Sequence, residues 1–140
     1  MPTSAFTKFN DFVVQRDKAV HDFSTHTFKV ALTNTAPTTA NAVLADITQI
    51  SAGGGYSAGG YTVTVTESGS GGTSKVFVAN ATLTASGASV GPFRYAVLYN
   101  STSASKNLIG WLDYGSALTL ADGEALNLNF DQTNGLLATT

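Results

Sequence analysis

The amino-acid sequence predicts an all-β chain, a jelly-roll-like antiparallel β-sandwich of about eight strands with a short N-terminal helix or hairpin. Three observations carry that expectation. Apolar residues from Thr27 onward recur with a period of two. The alternating runs are short and bounded by clusters of Gly, Ser, Asn and Asp. No strand is followed by a long helical pattern, which excludes the repeated strand-helix-strand units of a parallel sheet.

Taken in order, Phe9, Phe12, Val13, Val20 and Phe23 fit one stripe of a helix, with Asn10 as its N-cap. The rival reading of residues 9–23 is a hairpin turning at Arg16-Asp17-Lys18; the helix is preferred and both stay open. Phe28, Val30 and Leu32 share one face of the next strand. Tyr61 to Glu67 sets Tyr and two Val against three Thr, the pattern of a half-buried antiparallel strand. Lys75 to Ala79 and Ala81 to Ala85 repeat it more weakly. Phe93 to Asn100 is apolar on both faces and therefore reads as a central strand. Leu108 to Tyr114 follows. Ser116 to Leu120 and Ala125 to Phe130 flank Asp122-Gly123, a hairpin signal because Gly tolerates a positive φ. Leu136-Leu137-Ala138 closes the set. Of two Gly-rich stretches, Ser68 to Ser74 reads as an exposed mobile hairpin loop, whereas Ser51 to Gly60, with Tyr56 among its glycines, is longer than a hairpin needs and suits a structured loop that meets a partner.

The chain of 140 residues fits one domain, residues 1–140, long enough to bury a core without staples. Charged residues make up 11%, less than half the ~25% of an ordinary soluble domain, and the net charge is −2. Gly, Ser, Thr and Ala supply 66 residues, nearly half the chain. Such a balance argues against nucleic acid as a partner. Zero Cys removes disulfides, thiolate nucleophiles and Cys-bound zinc. No apolar run is long enough to span a membrane, and the N-terminus lacks the basic and apolar regions of a secretion signal.

No constellation points to catalysis. His21 and His26 are five apart, which splays them on a helix and places them on opposite faces of a strand, so they read as surface or loop histidines rather than a metal site. No Gly-x-Ser-x-Gly elbow and no phosphate-binding glycine loop is present. Asp122 and Glu124 belong to a turn. Asp113, between Leu112 and Tyr114, needs a partner, and Arg94 is the candidate for a structural ion pair. Asn80-Ala81-Thr82 and Asn100-Ser101-Thr102 are formal glycosylation sequons that read more simply as turn residues at strand ends. Tyr95, Tyr99 and Trp111 are expected in the core, whereas Tyr56 and Tyr114 are the aromatics offered for exposed contact. Catalytic residues, metal ligands and cofactors are therefore all expected to be none.

Several stretches together resemble a known family. Phe9-Asn10-Asp11-Phe12-Val13, Lys29 to Pro37, Ile47 followed by Gly-Gly-Tyr, Gly91 to Asn100, Leu108 to Ser116 and Asp122-Gly123-Glu124 occur in the order seen in small structural proteins of tailed bacteriophages. The chain most resembles the capsid cement, or decoration, proteins, whose podophage members are jelly rolls. The resemblance implies a virion protein made in the host cytoplasm and bound to the outer surface of the expanded shell. Its implied partners are the major capsid protein and a second copy of itself, as a homodimer at two-fold positions, with no direct nucleic acid and no membrane. Bridging neighbouring subunits would resist the pressure of packaged DNA through many weak contacts. Residues 1–8 read either as an extended arm laid over a neighbour or as a frayed terminus. The contact candidates are Phe6, Lys8, Tyr56 and Tyr114. The alternatives are a receptor- or carbohydrate-binding β-sandwich virion protein, which would need exposed aromatics in a row, and a tail-associated structural component.

Overall fold

The computed structural model describes residues 6–130, 135 and 137–139. Ten strands and one α-helix are found among them: β1 (Thr7–Lys8), α1 (Asn10–Asp17), β2 (Phe28–Thr33), β3 (Tyr61–Val63), β4 (Val65–Ser70), β5 (Thr73–Val78), β6 (Ala81–Thr84), β7 (Val90–Asn100), β8 (Leu108–Leu120), β9 (Ala125–Leu128) and β10 (Leu137–Thr139), with a short 3₁₀ turn at Leu44–Asp46. A five-stranded antiparallel sheet runs β1-β8-β7-β2-β3. Facing it are a three-stranded sheet, β10-β5-β4, and a two-stranded one, β6-β9. The expected all-β sandwich is what the chain adopts.

Strand β7 lies between β8 and β2, as its two apolar faces require. Ala96 and Leu98 enter the main core with Phe28, Val30 and Leu32 of β2 and Ile109 and Leu112 of β8, closed from the other layer by Val78, Leu83, Leu126 and Leu128. Val97 and Tyr99 point the opposite way, into a second cluster with Phe9, Ala31, Ile47 and Leu108. The sheet is thus covered on both faces, and the segment carrying Leu44 and Ile47 supplies part of the second cover.

Residues 9–23 settle as the helix rather than the hairpin. The helix is shorter than the stripe, and Phe9 rather than Asn10 is its N-cap, with no side-chain cap bond. Phe12 alone of its residues is buried, so docking of that ring, not intrinsic propensity, holds the eight-residue element in place. Phe9 departs from the stripe and enters the second cluster instead.

Three further expectations change in the folded chain. The alternating run from Tyr61 to Glu67 is divided at Thr64, whose carbonyl accepts a bond from the Ala79 N–H (2.9 Å), and the chain passes from one sheet to another there. Alternation survives across the break: Thr62, Thr64 and Thr66 are exposed while Val63 is buried. Asp122-Gly123 does form a turn, but the strands it joins do not pair with each other. Strand β8 pairs with β7 and β1, whereas β9 pairs with β6. The turn is instead fastened to residues 85–87, through Gly123 N–H to the Ala85 carbonyl (2.8 Å), Ala85 N–H to the Glu124 carbonyl (2.9 Å) and Gly87 N–H to the Asp122 carboxylate (2.9 Å). It is therefore a corner between layers. Finally, Ser68 to Ser74 is no long loop. Ladder pairs continue to Ser70↔Thr73, leaving only Gly71-Gly72 as the turn.

Gly60 shows how tightly the Gly-rich segment is seated. Its φ is +86°, and a Cβ there would lie 1.9 Å from the Val30 carbonyl oxygen. Gly71 has φ +60° but open space around it. Replacing Gly71 by Ala is expected to cost about 1–2 kcal/mol, the conformational term alone. Gly60→Ala adds a backbone clash and should cost about 3 kcal/mol or more, or prevent folding. Urea denaturation of the two variants measures the difference, and equal costs would contradict the assigned packing.

Candidate interaction surfaces

The described residues contain no group of three His, Cys, Asp or Glu able to hold a metal ion. A shallow cleft of about 520 Å³ lies between α1 and the loop after β7, lined by Asp11, Gln15, Val20, Val43 and residues of the 103–107 segment. The Asp11 carboxylate there accepts a bond from Gln15 (3.3 Å), and no nucleophile-base pair lines the cleft. The four expected contact residues fall in three different places.

Phe6 and Lys8 are brought together at the edge of the five-stranded sheet. Thr7 pairs with Trp111 and Lys8 with Gly110. Phe6 fills the space left by the missing side chain of Gly110, where a Cβ would lie 2.3 Å from its ring. Three residues later Phe9 packs on the opposite face, its ring 4.7 Å from that of Trp111. The segment therefore grips both sides of β8, with the Phe9 N–H bonded to the Ile109 carbonyl (3.1 Å). Residues 6–8 of the expected arm are an edge strand, with Lys8 exposed and Phe6 half-buried against the main core. The rest of that arm, residues 1–5, lies outside the described residues.

Tyr56 is not an exposed contact. It is 2% accessible and part of the main core. Its hydroxyl accepts from the Leu32 N–H (3.1 Å) and donates to Gln49 Oε1 (2.8 Å), which also accepts from the Gly59 N–H (2.8 Å). The reason lies in the sheet. Strand β3 covers β2 only as far as Val30, which pairs with Tyr61, so Leu32 would otherwise present unpaired backbone at an edge. The Tyr56 hydroxyl satisfies its N–H and Ile50 N–H bonds its carbonyl (3.0 Å). Burial holds the Tyr56 phenol above its ordinary pKa, so it stays a neutral donor. The segment Ser51–Gly60 is structured as expected, but its aromatic residue faces inward.

Tyr114 is half-buried at an irregularity of β8, packed against the main core. Between Tyr95↔Asp113 and Phe93↔Leu118 the two strands lose register, and β8 carries the extra residues. The Asp113 carboxylate holds this bulge. It accepts from Arg94 Nε (2.8 Å) and Nη2 (3.1 Å) and from the Gly115 N–H (2.8 Å). The ion pair expected from sequence is present. Arg94 holds the Asp113 carboxyl below the usual carboxylate range. Trp111 is half-buried beside Phe9 in the second cluster, on the face opposite Tyr114, so the two do not line up as a row of exposed rings.

The histidines converge, which their spacing did not suggest. His21 is buried, at 8% accessibility, and His26 half-buried; both approach the side-chain amide of Asn100 at the end of β7. Asn100 is itself fully buried and Asn80 bonds the Phe130 N–H (2.8 Å), so both sequon asparagines serve the strand ends. The signal sequence reading missed was Asn100, a polar residue closing an apolar central strand.

On the exterior, Val14 is the large hydrophobic residue left exposed among the described residues. The exposed positions are otherwise rich in Thr, Ser, Gly and Ala with scattered charges such as Lys18, Asp46 and Glu67, and in β4 Thr66 to Ser70 are all exposed along a sheet edge.

Two outcomes follow from these assignments. Tyr56→Phe keeps the ring but strands the Leu32 N–H and leaves Gln49 Oε1 with the Gly59 N–H alone, and should lower stability by about 1–3 kcal/mol, whereas Tyr114→Phe should be close to neutral. Denaturant midpoints of the pair measure this; equal effects would place Tyr56 wrongly. Because the Asp113 pKa is depressed in the folded chain, its contribution is present above the ordinary carboxylate value of 3.8 and is lost as pH falls through the lower folded value. Asp113→Asn should accordingly be less stable than the parent at neutral pH, with the gap closing in acid, as thermal melts across pH would record. No family model, curated protein or solved structure matches the chain.

Proposed function

We propose that this chain is a structural protein of a bacteriophage virion, a cement protein that decorates the outer capsid surface. It bridges neighbouring major capsid subunits and stabilises the expanded shell against DNA pressure. The observation that carries the reading is the surface: a sandwich whose main sheet is covered on both faces and whose exterior is rich in Thr, Ser, Gly and Ala and poor in charge. Lys and Glu are depleted from interface cores because their desolvation is costly, so a charge-poor exterior suits repeated coverage by partners. The stretches around Phe9, Lys29 to Pro37, Gly91 to Asn100 and Leu108 to Ser116, which resemble the cement family in order, support the same reading. No reaction is assigned and no cofactor is invoked.

In this role the exposed edge strand β4 and the β1 edge with Lys8 are the places where a neighbour's backbone can extend the sheet. Each contact is weak, and repetition over the shell multiplies it. A homodimer would present the same patches twice about one axis. The carbohydrate-binding alternative gains nothing from the aromatic residues, since Tyr56 is buried and Trp111 and Tyr114 lie on opposite faces.

The reading predicts a stoichiometric component of the particle, on the order of one copy per capsid subunit or per dimer site. Image reconstruction or quantitative gel analysis of purified virions measures this. A count of a few copies per particle, or density confined to the tail, would overturn it. Purified protein added to expanded shells lacking it should also raise their resistance to heat and chaotrope.

A further inference from the structure

Asn100 sits where three segments meet, and both ends of its amide are committed. Its Oδ1 accepts from the backbone N–H of Thr102 (2.9 Å) and of Ser103 (3.2 Å). Those two donors fix the orientation of the amide, because turning it over would aim N–H at N–H. Its Nδ2 therefore faces the 20–26 segment, where it meets His26 Nδ1 (2.9 Å), His21 Nδ1 (3.2 Å) and the Val20 carbonyl (3.4 Å). Nδ2 has two hydrogens for these three acceptors, and they serve the two shorter contacts when each ring presents its Nδ1 lone pair and carries hydrogen on Nε2. His26 Nδ1 receives the Asp22 N–H as well (3.3 Å), which demands the same form.

We propose that His21, His26 and Asn100 form a proton-operated latch, in which protonation of His21 releases the segment 20–27 from the end of β7 while the five-stranded sheet stays folded. A proton added at His21 Nδ1 turns an acceptor into a donor that faces the Asn100 N–H. The amide cannot rotate to accommodate it without losing Thr102 and Ser103. His21 has nowhere else to discharge: its Nε2 is buried without a partner, and its ring lies against Phe12 (5.3 Å) and Phe23 (6.0 Å). The charged and titratable groups facing it are His26 in the same segment, which opposes a second positive charge, and Asp11 on α1, which favours one; β7 contributes only the neutral Asn100. Asp22 also lies in the segment, where the Ser24 N–H holds its carboxyl below the ordinary range.

The direction of the response follows. Burial, then the neighbouring His26, lower the His21 pKa from 6.5 to about 4. The unfolded or released segment therefore takes up a proton that the latched form refuses. Closure is complete above the released value of 6.5 and weakens as pH falls from there towards 4. The device is independent of where the protein acts, and its test does not involve a capsid.

Hydrogen exchange on the full chain, expressed as protection factors between neutral pH and about pH 4, reads the latch directly. Protection at the amides of His26, Thr27 and Ser101 should fall at least about tenfold more than at the β7–β8 ladder. In the Asn100→Asp variant a carboxylate replaces the N–H donor and accepts from imidazolium. His21 should then titrate above 6.5, followed by its ring proton resonances, and acid should no longer open the segment. Loss of protection in the segment and the sheet together, retention of segment protection in acid, or an Asn100→Asp chain that opens like the parent would each overturn the proposal. Should that variant fail to fold, the exchange pattern and the His21 titration of the parent chain decide the matter.

Discussion

Strand β7 is apolar on both faces, and the fold is the answer to that constraint. A sheet with one wet face could not hold it, because Val97 and Tyr99 would face solvent while Ala96 and Leu98 packed. Two covers are required. The β4-β5 and β6-β9 strands supply one, and the chain between β2 and β3 supplies the other with Ile47 and Leu44. Phe9 reaches the second face from the N-terminal side, after Phe6 has reached the first, so the same short segment seals both layers at the β8 edge. This explains why Gly110 bears no side chain: a Cβ would occupy the place of the Phe6 ring.

The same pressure accounts for the inward Tyr56. Covering a sheet means covering its edges too, and β2 outruns its neighbour β3. A phenol is well suited to the gap, since its ring joins the core while its hydroxyl both accepts from a strand N–H and donates to Gln49. Two of the glycines around it answer to close approach, Gly54 against the Ala88 carbonyl and Gly60 over the Val30 carbonyl, whereas Gly53 has open space beside it. Polarity at the core boundary is mostly paired as well, the exceptions among the described residues being His21 Nε2 and the Tyr61 hydroxyl. Thr33 is fully buried with its hydroxyl bonded to the Thr48 carbonyl, and Asn100 has a partner for each end of its amide.

Periodicity alone therefore revealed the strands whose two faces differ or are alike: β2, the Thr-faced run from Tyr61, and β7 as a central member. The Arg94–Asp113 pair was legible because a carboxylate between Leu112 and Tyr114 on an inner strand has few ways to be satisfied. What alternation cannot encode is which sheet a strand joins. Thr64 looks like any other outward Thr, yet the chain changes layers there, and Asp122-Gly123 has a hairpin's residues while docking against 85–87. The candidate contacts were read from residue type in the same local way, and Tyr56 failed because its fate was set by β2 and β3, which are distant in sequence. His21 and His26 were judged only against each other. Their meeting point, Asn100, lies 79 and 74 residues away.

An economy of charge runs through all of this. Where the chain does use polar chemistry inside, it uses neutral groups with fixed donors and acceptors: Tyr56 with Gln49, Thr33 with Thr48, Asn100 with the two imidazoles. Its main ion pair stays half-exposed at the β8 bulge. Outside, the Thr faces of the strands give a surface that can be desolvated at low cost. Neutral networks resist changes in salt but respond to any event that converts an acceptor into a donor. Histidine is the side chain whose ordinary pKa lies closest to neutral pH, so it is the residue best suited to that conversion. A fold that holds a strand end with an Asn between two histidines has thus placed one proton-sensitive contact at the seam between the helix-bearing N-terminal segment and the sheet, apart from the acid-sensitive Arg94–Asp113 pair at the β8 bulge.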